Sequence, residues 1–202
     1  ALPIMEQLCH GLGAAHDAGI VHRDLKPQNV FLCRLASSSR PWSVKVLDFG
    51  IAKVVADRNQ TTAALGSPAW MAPEQTDTSS DMAPAADVWA LGLVLFWMLT
   101  GRFYWKAMNE QNTGVQAVLR EMLFEPLVPP SRRAVELEGE VDFPDALDNW
   151  FLQCVQRSPD DRFSNANVAW DELRAATGKD IPPSHVLPPE VAELAARAAV
   201  DL

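Results

Sequence analysis

A chain of 202 residues, 48% apolar and 21% charged, has the make-up of a water-soluble globular protein with room for one substantial core. Its 17 Lys and Arg against 26 Asp and Glu leave a net charge of -9, which argues against a phosphate-neutralising nucleic-acid surface and against contact with an anionic membrane. The 3 cysteines, Cys9, Cys33 and Cys154, are widely separated and offer neither a disulfide framework nor the paired spacing of a thiolate zinc site, so a reducing cytoplasm is the simplest compartment.

From Pro3 to His16, the residues Ile4, Leu8, Leu12 and Ala15 recur at helical spacing, and Gly19 stands where the helix should stop. The chain enters that pattern at once, with no initiator Met and no basic-then-apolar leader, and its start is expected to be the cut edge of a longer protein. A polar loop from His22 to Asn29 leads to two β-type runs, Val30-Phe31-Leu32-Cys33 and Val44-Lys45-Val46-Leu47. They are expected to pair as a small antiparallel hairpin across Leu35 to Ser43, whose serines and proline are loop chemistry. Residues 48 to 84 have no sustained periodicity, and so long an irregular stretch in a compact domain is usually functional or mobile.

A helix is predicted from Ala85 to Leu99. Its most apolar part, Val88 to Leu99, is far shorter than the ~20 residues of a membrane span, so it reads as a buried core helix. Further helices are predicted over Gly114 to Leu123, Asp145 to Gln156 and Asn165 to Ala176, with a Pro-rich link (Pro126, Pro129, Pro130) between the first two. Beyond Gly178 come Pro182-Pro183 and Pro188-Pro189 and a short Ala-rich helix from Glu190 to Val200. The expected fold class is α+β, mainly α-helical with a small antiparallel β-hairpin, divided into a folded unit over 1–177 and a linker with a terminal helix over 178–202.

His22-Arg23-Asp24-Leu25-Lys26-Pro27-Gln28-Asn29 reads H-R-D-L-x-x-x-N, and Asp48-Phe49-Gly50 reads D-F-G at the end of a strand. Gly66-Ser67-Pro68-Ala69-Trp70-Met71-Ala72-Pro73-Glu74 ends in A-P-E, Asp87-Val88-Trp89-Ala90-Leu91-Gly92 opens the apolar helix, and Asp161-Arg162-Phe163 follows. In this order these motifs resemble the eukaryotic-like (Hanks-type) serine/threonine protein kinases, in a bacterial style, and Lys26 in D-L-K-P-x-N resembles their Ser/Thr branch rather than the tyrosine kinases. The resemblance covers only the larger, C-terminal lobe. The glycine-rich loop, strand lysine and helix glutamate of the smaller lobe are not in the sequence, and Gly11-Leu12-Gly13 lies inside a helical pattern.

The resemblance implies ATP and Mg²⁺ as cofactors and protein substrates as partners. Phosphoryl transfer needs the nucleophile held in line and phosphate charge neutralised. Asp24 is then the base for the substrate hydroxyl, Lys26 brings an ammonium to the transferring phosphate, Asn29 and Asp48 are oxygen ligands for Mg²⁺, and Phe31 lies beneath the adenine. Ser67, Pro68 and Trp70 belong to the substrate-binding segment; Ser67 for the commoner Thr and Trp70 for the commoner Tyr are mild departures. Arg23 resembles the partner of a phosphorylated activation loop, with Thr61 and Thr62 where the phosphosite would be. Glu74 and Arg162 resemble a bracing ion pair, Asp87 a receiver of catalytic-loop N–H groups, and His22 a core residue beneath Phe49. His10, His16 and His185 have no metal-ligand spacing and read as ordinary residues. The piece alone is expected to be inactive for want of the phosphate clamp. A shortened, non-catalytic interaction module is the competing reading, against which the intact Asp24, Lys26, Asn29 and Asp48 argue. A small-molecule phosphotransferase of the aminoglycoside type would lack the D-L-K-P and Gly66-to-Glu74 features.

Overall fold

The computed structural model describes residues 1–34, 42–49, 68–77, 82–110, 113–137 and 145–178. The expectations for the hairpin loop, for Gly50, Thr61, Thr62 and Ser67, and for the segment after Gly178 lie outside these residues. Among these residues six helices and one pair of strands follow in chain order: α1 (Leu2–Asp17), β1 (Val30–Arg34), β2 (Trp42–Val46), α2 (Ala85–Thr100), α3 (Val115–Phe124), α4 (Pro130–Glu136), α5 (Asp145–Cys154) and α6 (Ala166–Thr177). Short 3-10 turns cover Pro27–Asn29, Pro73–Thr76, Lys106–Asn109 and Pro159–Asp161.

The core forms around α2, whose residues from Ala85 to Phe96 are all buried, because a helix apolar on every side must be covered on every side. Helices α5 and α6 pack on it, and α1 packs on α6 and on β2. Two glycines permit these approaches. A Cβ on Gly92 would stand 2.8 Å from the Cβ of Cys154, and one on Gly13 would stand 1.9 Å from Oδ1 of Asn167 on α6. The sheet is antiparallel, with Val30 opposite Val46 and Arg34 opposite Trp42. Trp42 and Ser43, expected in the loop, therefore belong to β2; the buried indole of Trp42 gives the strand an anchor that its loop-like neighbours in sequence conceal.

The Pro-rich link needs a correction: Pro130 does not continue it but starts α4. Proline suits the first turn of a helix, where its missing N–H has no partner to lose and its φ is already helical. The predicted boundaries of α6 fall within one residue, since Asn165 caps it by accepting the Val168 N–H at 3.0 Å. Among the described residues no helix is long and apolar enough to cross a membrane.

Candidate active site

The site is built on the loop between α1 and β1, and its foundation is a buried carboxylate. Asp87, in the first turn of α2 and 1% exposed, accepts the N–H of His22 on Oδ2 at 2.7 Å and that of Arg23 on Oδ1 at 2.8 Å. Oδ2 also meets His16 Nε2 at 2.9 Å. The Ala166 N–H donates to His16 Nδ1 at 3.3 Å, so that nitrogen is the acceptor and Nε2 must carry the hydrogen given to Asp87. His16 is thus not the ordinary residue expected from sequence; it joins α1, α2 and the start of α6 under the loop. The signal was there, because Leu8, Leu12 and His16 repeat at i, i+4, which puts the imidazole on the buried stripe.

His22 is fully buried and uses both ring nitrogens. Its Nε2 donates to the Leu47 carbonyl at 2.9 Å, its Nδ1 accepts the Asp24 N–H at 3.2 Å, and its ring packs on Phe49 with centroids 4.7 Å apart. With both nitrogens committed it cannot act as a base. It instead ties the loop carrying Asp24 to the residues flanking Asp48. A second tie is the Leu47 N–H to the Asn29 carbonyl at 2.9 Å.

Among the described residues, two non-glycine residues lie in the left-handed region, Arg23 at φ 66° and Asp48 at φ 55°. Each such residue costs about 1–2 kcal/mol and persists only where its surroundings hold it. Arg23 is held at both ends, by Asp87 on its N–H and by Gln75 Nε2 on its carbonyl at 2.7 Å. Just beyond it, the side chains of Asp24 and Lys26 pair at 2.8 Å, 21% and 24% exposed, so the carboxylate is charged yet reachable from solvent. Asn29 Nδ2 donates to the Asp24 carbonyl at 2.9 Å, which leaves its amide oxygen as the only side-chain atom it can offer a cation. Asp48 is exposed. No three His, Cys, Asp or Glu side chains converge among the described residues. Asn29 and Asp48 each present a hard oxygen, the donor type that suits Mg²⁺. Phe31 on β1 is 37% exposed, an aromatic surface beside these residues in the chain.

The segment from Pro68 to Thr76 is fastened from beneath. Arg162 donates to Glu74 through two nitrogens, at 2.8 and 2.7 Å, and to the carbonyls of Ala85, Gln156 and Arg157 at 2.9, 2.6 and 3.0 Å; its guanidinium also lies over the Trp89 ring. The Ala69 carbonyl accepts the indole N–H of Trp105 at 3.1 Å. Trp70 packs on Trp97 and Phe103 and is only 5% exposed, so its indole is part of the support below the segment. Gln75 and Trp105 were not singled out from sequence. Neither position differs in composition from its neighbours, and only the contacts reveal it.

A mainly helical body thus presents a carboxylate–ammonium pair on a braced H-R-D loop. The protein kinase domain family matches residues 1–173, and this chain belongs to it. Its relatives are bacterial Hanks-type serine/threonine kinases. The chain is 36% identical over 181 residues to the serine/threonine-protein kinase Pkn1 of Myxococcus xanthus, covering 88% of this chain and 24% of that protein. To the serine/threonine-protein kinase PknB of Mycolicibacterium smegmatis it is 34% identical over 184 residues, 89% of this chain and 27% of that protein. The chain thus spans about a quarter of the length of these curated relatives. Members of the family use ATP and Mg²⁺ and are transferases.

Proposed function

We propose that residues 1–177 are the larger lobe of a serine/threonine protein kinase that moves the γ-phosphoryl group of ATP to Ser or Thr hydroxyls of proteins. The observation that carries this reading is the Asp24–Lys26 pair at 2.8 Å, partly open to solvent, on a loop whose backbone hangs from buried Asp87. Asp24 accepts the proton of the substrate hydroxyl as its oxygen bonds to the γ-phosphorus and the bond from that phosphorus to ADP breaks. Lys26, already beside that carboxylate, offers its ammonium to the phosphoryl oxygens, whose charge is otherwise unopposed in the transition state. The Asn29 amide oxygen and the Asp48 carboxylate would hold Mg²⁺, which would supply neutralisation of phosphate charge. Phe31 forms the floor for the adenine. Pro68, with Ser67, presents the substrate to Asp24, and Trp70 contributes through the backbone of the segment that its buried ring supports. Arg23 receives a phosphate carried by Thr61 or Thr62 in the activated enzyme.

The phosphate clamp belongs, on this reading, to an upstream lobe, and this chain alone transfers nothing. Phosphoryl transfer to a generic basic protein is to be measured with Mg-ATP for this chain and for the full-length, upstream-extended protein, each beside its Asp24→Asn variant. Activity in the extended protein that Asp24→Asn abolishes, with silence from the short chain, is the expected result. Silence from the extended protein hands the assignment to a non-catalytic interaction module.

A further inference from the structure

Arg23 and Asp24 share a planar peptide unit, so whatever grips the Arg23 carbonyl also sets the direction in which Asp24 leaves that plane. Among the described residues, three side chains hold the two peptide groups that flank Arg23, and Asn29 holds the Asp24 carbonyl beyond them. Asp87 takes the Arg23 N–H at 2.8 Å, His22 Nδ1 takes the Asp24 N–H at a longer 3.2 Å, and Gln75 Nε2 donates to the Arg23 carbonyl at 2.7 Å. The last of these comes from the Pro73–Thr76 turn, across the chain from the loop.

The orientation of the Gln75 amide is dictated by its partners. Its other end accepts the Ala72 N–H at 2.9 Å, and a backbone N–H can face only the oxygen, while the Arg23 carbonyl can face only the nitrogen. One side chain therefore clasps the substrate-binding segment at Ala72 and the base-bearing loop at Arg23. Its own footing is firm, because the preceding residue, Glu74, is locked to Arg162. We propose that Gln75 is a positioning residue for phosphoryl transfer, orienting the Arg23–Asp24 peptide from the substrate-binding segment; this rests on the kinase reading above.

Gln75→Glu isolates the effect. Its carboxylate still accepts from Ala72 but cannot donate to the Arg23 carbonyl and repels it, so the strained Arg23 loses one of its two holds. Gln75→Met removes both bonds at similar volume. Asp171→Ala serves as the control, since the exposed Asp171 carboxylate meets Arg174 of its own helix, α6.

The experiment measures kcat, KM for ATP, KM for a Ser/Thr peptide and Tm in the full-length protein. It adds the carbonyl-carbon and amide NMR shifts of Arg23 and Asp24. For Gln75→Glu and Gln75→Met the expected result is a fall in kcat of ~10-fold or more, KM for ATP unchanged, Tm within a few degrees of wild type, and displaced Arg23 and Asp24 signals; Asp171→Ala alters none of these. Unchanged kcat in both variants overturns the proposal, and so does a loss of kcat that only tracks a collapse in Tm. If the wild-type protein itself transfers no phosphate, the kinase reading fails first and Gln75 is a structural clasp alone.

Discussion

Arg162→Ala is the sharpest test of how the segment from Pro68 to Thr76 is held. The guanidinium makes five hydrogen bonds, two to Glu74 and one each to the carbonyls of Gln156, Ala85 and Arg157, and its side chain is fully buried. Removing one partner of a buried ion pair costs about 3–5 kcal/mol, because the other charge is left uncompensated. Glu74 keeps 13% side-chain exposure and recovers some hydration, which draws the figure toward the lower part of that range. The three carbonyls each retain a second lone pair but face the space vacated over Trp89, which pulls it back up. A loss of about 4 kcal/mol is expected, roughly a thousandfold in the folded-to-unfolded ratio and a large share of the 5–15 kcal/mol a domain has to spend. Denaturant unfolding of wild type, Arg162→Ala, Glu74→Gln and the double variant measures it. The double variant should be less destabilised than the sum of the singles by at least ~1 kcal/mol. The exposed Arg174–Asp171 pair provides the contrast, and Asp171→Ala should fall within about 0.5 kcal/mol of wild type. A cost below ~1 kcal/mol for Arg162→Ala, or strict additivity, would refute the bracing argument.

Packing and thiol chemistry yield two further expectations. Gly92→Ala drives a methyl to 2.8 Å from the Cys154 Cβ and should cost about 1–3 kcal/mol by thermal or chemical unfolding, whereas Gly114→Ala, with open space around it, should change stability by about 0.5 kcal/mol or less. Burial pushes the thiols of Cys9 and Cys154 up, so the folded protein at pH 8 should show only the partly exposed Cys33 to a disulfide-exchange reagent, and all three after unfolding. The folded state holds the Cys9 and Cys154 protons more tightly than the unfolded state does, so their contribution to stability is complete below an unfolded thiol pKa of about 8.5 and declines as pH rises above it. A Cys9→Ala, Cys154→Ala variant should show a flatter alkaline limb in unfolding free energy against pH.

Local rules carried much of the architecture. The spacing of Ile4, Leu8 and Leu12, the all-apolar run inside α2 and the Asn165 cap name three helices because helical periodicity and capping are properties of consecutive residues. The H-R-D and D-F-G runs were equally readable, since the chemistry of phosphoryl transfer dictates residue types at short spacing. Where a residue's meaning depends on a partner far along the chain, local pattern is silent. His16 meets Asp87 at a separation of 71 residues and Gln75 meets Arg23 at 52, while the Glu74–Arg162 pair, 88 residues apart, was expected only through the family resemblance. Pro130 misled for a related reason: proline both breaks helices and begins them, and its neighbours in space choose between the two. The amino-acid sequence thus determined which groups are available for chemistry and which helices form. Tertiary structure decided how a strained loop is held still, because burying Asp87 obliges its carboxylate to find hydrogen-bond partners, and the N–H groups of His22 and Arg23 and the ring of His16 supply them.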